Sequence, residues 1–117
     1  MRIVYRTKQD ERLCCDFAYA RRRLGDDVAK RLMKAIDFAE AADALADFVH
    51  VPQFRFHPLK HTETHRFAID LVKTSGMRLL LTALDGDGRP VVKETALDVL
   101  LVECDFAVAE VSNHYEE

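Results

Sequence analysis

His57, Lys60, Arg66, Arg78, His114 and Tyr115 supply titratable or cationic side chains without an acidic catalytic pair beside them. That inventory suits an anionic phosphate substrate. In metal-free RNA cleavage the 2′-hydroxyl attacks the adjacent phosphate. A base must take the hydroxyl proton, an acid must protonate the leaving 5′-oxygen, and cations must meet the charge gathering on phosphorus. Histidine serves as either proton carrier near neutral pH. Arg78 can grip two phosphate oxygens with its planar fork, and Lys60 acts as a point charge. Each residue alone also has a plainer reading: a surface histidine beside Pro58, a solvated strand arginine, a tyrosine anchoring a tail. His57, His61 and His65 are spaced by four, but Pro58 and the strand-like sequence after it break the helix a metal site would need, so no metal is expected.

These groups need elements to hold them. Ile3-Val4-Tyr5 reads as a first strand. Leu13, Phe17, Ala20 and Leu24 recur at helical spacing, with Arg21, Arg22 and Arg23 where cations suit the dipole and Gly25 as the stop. Asp26 or Asp27 can cap a second helix with the stripe Val28, Leu32, Ala35, Ile36 and Ala39. An Ala-rich stretch through Leu45 and Val49 continues or restarts it until Pro52, and the two helices should form an antiparallel hairpin. The period then changes. Phe67, Ile69 and Leu71 alternate along one strand, Lys73–Gly76 reads as a turn, and the return strand puts Met77, Leu79 and Leu81 on one face with Arg78, Leu80 and Thr82 on the other. Asp85–Pro90 is a loop, because the remaining ligands of a calcium loop are missing. Leu97–Glu103 suggests a short helix and Phe106–Val111 a final strand. The expected fold is α+β: an N-terminal strand and helical hairpin packed on a mostly antiparallel sheet, as one domain over residues 1–117.

Composition narrows the class. Hydrophobic residues make up 49% and charged residues 32%, which suits a packed globular protein. There is no run of about 20 apolar residues to cross a membrane. The start has no apolar run with a small-residue cleavage site, so a cytoplasmic protein is expected. Three cysteines, two of them adjacent, make a poor disulfide or zinc framework and read as buried, inert thiols. The net charge of −3 is uneven: residues 1–34 carry ten Lys/Arg against five Asp/Glu, and residues 35–117 seven against fifteen. That balance argues against indiscriminate nucleic-acid binding and leaves room for a local cationic site.

Phe56-His57-Pro58-Leu59-Lys60, then Phe67-Ala68-Ile69-Asp70-Leu71, then Met77-Arg78-Leu79, resembles the central signature of the RelE/ParE toxin superfamily, in its HigB (plasmid-maintenance killer) branch. Val111-Ser112-Asn113-His114-Tyr115 is similar to that branch's closing strand and tail, and Leu13-Cys14, Ala29–Leu32 and Ala41–Asp47 to its helical hairpin. The resemblance implies a RelE-like, microbial-RNase-like fold. It implies translation-dependent cleavage of mRNA on the ribosome, and neutralisation by a co-encoded helix-turn-helix (HigA-like) antitoxin in a complex that can be a heterotetramer. It makes His57 and His114 the acid/base pair, Lys60 and Arg78 the transition-state cations, and Tyr115 a positioning or proton-relay group. Arg66, Lys73 and Asn113 become RNA-binding residues, with no cofactor. Glu63 and Met77 depart from the pattern, and with the pI near 5.9 they motivate a second reading. That alternative is a non-enzymatic ParE-like gyrase inhibitor or a catalytically degenerate member that only binds its antitoxin.

Overall fold

The stripe expected for the second helix is real: Val28, Leu32, Ala35, Ile36 and Ala39 are all buried on α3 (Asp26–Ala41). The computed structural model describes residues 1–59, 65–72 and 76–113. Before α3 come β1 (Arg2–Tyr5), α1 (Lys8–Cys15) and α2 (Phe17–Leu24). After it come 3-10 turns at Leu45–His50 and Pro52–Phe54, then β2 (His57–Pro58), β3 (Phe67–Asp70), β4 (Met77–Leu84), α4 (Ala96–Leu101) and β5 (Phe106–Asn113). The strands form one mixed sheet in the order β1-β5-β4-β3-β2, in which only the β1–β5 pairing is parallel. The α+β class and the mostly antiparallel sheet are as expected.

One expected helix is two. Asp16 sits in extended backbone (φ −116°, ψ 97°), its N–H closing α1 on the Arg12 carbonyl at 3.0 Å and its carboxylate accepting from the Tyr19 N–H at 3.1 Å to cap α2. An N-cap aspartate satisfies an amide that a helix start leaves open. The break turns Phe17 out of the apolar stripe, and it is exposed. Gly25, at φ +92°, both ends α2 and begins α3, a conformation that favours glycine. Asp26 and Asp27 therefore lie in the first turn of α3 rather than at its cap. The Ala-rich stretch restarts as a 3-10 turn, because Ala42 and Ala44 are extended.

The core-facing side of β3 and β4 packs as read, but the opposite side is buried as well: Ala68, Arg78, Leu80 and Thr82 are each 8% exposed or less. Phe67, Ile69, Leu71, Leu79 and Leu81 are fully buried in one cluster with Leu13, Leu32 and Ile36 from the helices. Burying these apolar side chains is the main term holding the layers together. Phe56 stacks between Phe48 and Phe67, with ring centroids 5.1 and 5.2 Å away, and so pins the start of β2 to the core. The Asp85–Arg89 turn is closed by backbone bonds and by the Asp85 carboxylate, which accepts from Asp87 and Arg89. The late helix is Ala96–Leu101, capped by Thr95, and β5 runs two residues past its expected end to Asn113.

Candidate phosphate-binding sheet face

Side chains of directly paired strand residues share a face, so the register decides what meets on the sheet surface away from the helices. One row runs His57, Ala68, Leu80, Glu110 across β2, β3, β4 and β5. The next runs Asp70, Arg78, Ser112. Arg66, two residues before Ala68, lies on the same side, and its carbonyl accepts from the Leu59 N–H at 2.9 Å. His57, Arg66 and Arg78, chosen from sequence, therefore share one face. Asn113 ends β5 opposite Met77, one residue out of phase with that row. Lys60, Lys73, His114 and Tyr115 lie outside the described residues.

His57 is half-buried, and its Nδ1–H donates to the Arg55 carbonyl at 2.6 Å. In the neutral ring that tautomer leaves Nε2 as the acceptor, the form a general base requires. Arg55 holds this geometry at φ +50°, left-handed backbone that a non-glycine residue adopts at a cost. Its guanidinium reaches Asp70, Nε to Oδ2 at 3.5 Å. His65 turns elsewhere, its Nε2–H within hydrogen-bond distance of the Lys93 carbonyl at 3.1 Å.

Arg78 is 8% exposed, low for an arginine, and sits mid-sheet between Asp70 and Ser112. Arg66 reaches over β4 to Glu110, Nη1 to Oε2 at 3.4 Å. The other oxygen of Glu110 accepts from Arg6 at 2.7 Å, and that bond raises the Arg6 pKa above its usual value. Among the described residues the face thus carries Arg6, Arg55, Arg66 and Arg78 against Asp70 and Glu110. A guanidinium can donate two parallel N–H bonds to a pair of phosphate oxygens.

Sequence reasoning missed Arg6, Arg55, Asp70 and Glu110. Glu110 had a usable signal: Val108, Glu110 and Ser112 alternate with the core-facing Ala107 and Ala109. The cysteines are not all buried, since Cys15 is exposed and its Sγ–H donates to the Tyr5 hydroxyl at 3.4 Å. Burial pushes the Cys14 thiol up to about 12 and raises Cys104 and the Tyr5 hydroxyl as well, so Cys14 is no ready nucleophile. Among the described residues no helix is long and apolar enough to cross a membrane. No family model, curated protein or solved structure matches this chain.

Proposed function

We propose that the chain is a ribosome-dependent mRNA endoribonuclease, the toxin of a toxin–antitoxin pair, with the RelE-like fold of the HigB branch. The observation that carries the reading is the shared face of His57, Arg66 and Arg78. On it, Nε2 of His57 takes the proton of the RNA 2′-hydroxyl as that oxygen attacks phosphorus. The bond to the 5′-oxygen breaks and this oxygen takes a proton from an acid, for which the resemblance offers His114, with Tyr115 as relay. The products are a 2′,3′-cyclic phosphate and a 5′-hydroxyl. Arg78 and Lys60 meet the phosphorane charge, and Arg66, Lys73 and Asn113 hold the flanking backbone. A co-encoded helix-turn-helix antitoxin would keep the face from RNA.

The test adds purified protein to a translating extract and maps reporter mRNA ends by primer extension. Cleavage confined to translated message is expected, reduced about 100-fold or more in His57→Ala and Arg78→Ala proteins. Intact message, or equal cutting by the variants, would sink the proposal. The second reading, a degenerate antitoxin-binding member or gyrase inhibitor, is favoured by one observation: Glu110 occupies both Arg6 and Arg66. A supercoiling assay with DNA gyrase separates its two forms.

A further inference from the structure

The link between β4 and β5 has a surface that the sheet-face chemistry does not use. Residues 85–105 carry Asp85, Asp87, Glu94, Asp98, Glu103 and Asp105 against only Arg89 and Lys93, and all eight side chains are exposed. None of the six carboxylates forms an ion pair with another described residue. The same segment exposes large apolar side chains: Val92 at 83%, Leu97 at 62% and Leu101 at 64%. Leu97 and Leu101 are four apart on α4, whose other side is fixed by buried Val99, so they form a ridge on its outer surface. Immediately after Leu101, Val102 lines a cleft of about 390 Å³ together with Val91, Val92 and the charged Asp85, Lys93, Glu103 and Asp105, three carboxylates against one ammonium. Isolated exposed apolar residues are ordinary, but a leucine ridge beside a valine-lined cleft with an acidic excess is an apolar patch within a charged surround.

We propose that this surface docks a cationic amphipathic helix of a partner protein. Its apolar stripe would lie along Leu97 and Leu101 and enter the valine cleft, and its Lys/Arg side chains would face Asp85, Glu103 and Asp105. Charge chooses the occupant. An anionic or nucleic-acid ligand meets six carboxylates, and a neutral apolar segment leaves them unused. A second copy of the chain is the poorer fit. Its exposed cations Arg12, Arg22 and Arg23 gather around the Tyr19 ring, at 3.8, 6.0 and 5.8 Å, and the only large apolar side chain exposed on those two helices is Phe17. Such a contact would also be head-to-tail and open-ended. The proposal does not rest on ribonuclease activity, because the surface shares no residue with the sheet face.

The probe is a fluorescein-labelled 14-residue helical peptide with leucines on one face and lysines elsewhere, read by anisotropy against the full chain. Two control peptides accompany it: one of the same composition with the leucines scattered, and one with glutamate for lysine. Leu97→Ser/Leu101→Ser and Glu103→Lys/Asp105→Lys are the protein variants, each checked by circular dichroism; the altered side chains are exposed, so the core is untouched. Saturable binding is expected, about tenfold or more weaker for either variant and either control, and weakened by salt for the charged pair. No binding, or equal binding of the scattered-leucine peptide, overturns the proposal. So does equal binding by the variants. Concentration-dependent self-association by sedimentation that vanishes in Leu97→Ser/Leu101→Ser also overturns it, because the occupant would then be a second copy.

Discussion

Arg66 and Glu110 meet at 3.4 Å although β4 lies between their strands. Two strand spacings are roughly 10 Å, so both side chains must lie across the sheet over β4 rather than stand up from it. Leu80, paired with Glu110 in that row, is 2% exposed. The bridge therefore ties the start of β3 to β5 across the strand that lies between them.

Glu110→Gln removes the charge that both arginines share while keeping the shape. The pairs are partly exposed, so the stability loss should be about 0.5–1 kcal/mol by urea titration. Under the proposed function the released arginines should tighten binding of a non-cleavable 2′-deoxy RNA, and raised salt should abolish the gain. Unchanged affinity at low salt would show that Glu110 does not compete with phosphate.

Arg55 predicts a backbone effect separable from its charge. At φ +50° glycine relieves the cost of the left-handed conformation and alanine does not. Arg55→Gly should be about 1 kcal/mol more stable than Arg55→Ala, although both lose the contact to Asp70. The same order should appear in the His57 ring, whose Nδ1–H leans on the Arg55 carbonyl. Nitrogen chemical shifts of the imidazole should report the Nδ1–H tautomer in the glycine variant as in the wild type.

How legible all this was from sequence depends on whether a signal is periodic. Phe67, Ile69 and Leu71 announce their face because one side of β3 must leave water, and they are buried as read. His57 and Arg78 announce themselves by type. Asp16 breaks a helix with one local hydrogen bond, which the spacing of Leu13, Phe17, Ala20 and Leu24 conceals. Glu110 depends on register, since its partners Arg6 and Arg66 are 104 and 44 residues away along the chain. Pairing of that kind is written in which strands become neighbours, and a single sequence does not print it.

Asp10 makes the same point for stability. β1 stops pairing at Tyr5, and one strand turn later the Val111 N–H would face nothing; Asp10, 6% exposed, accepts it at 3.0 Å. Its second oxygen accepts from the Thr7 hydroxyl at 2.8 Å, and Thr7 in turn caps α1 through the Asp10 N–H. Asp10→Ala leaves a strand amide and a hydroxyl short of partners, so a loss of about 2–3 kcal/mol is expected in chemical denaturation. Asp10→Asn keeps an acceptor and should recover about half of that. Faster hydrogen exchange at Val111 in the alanine variant would locate the loss; unchanged exchange there would refute the role.

Cys14 predicts the alkaline limb of stability. Burial holds its folded pKa near 12, against about 9 for a free thiol. A raised folded pKa means that the folded state keeps a proton the unfolded state has lost. The contribution is complete below pH 9, shrinks as pH rises from 9, and is gone once pH passes the folded value near 12. Its size is on the order of a few kcal/mol, with Tyr5 shifted in the same direction and adding to it at still higher pH. Urea midpoints at pH 7, 9 and 11 should fall steeply only between the last two, and Cys14→Ala should flatten that fall after a uniform packing loss. Exposed Cys15 should react with a disulfide reagent at pH 8 in the native protein while Cys14 and Cys104 wait for unfolding. Three thiols reacting at one rate without denaturant would mean that Cys14 is not held in the core, and the alkaline prediction would fall with it.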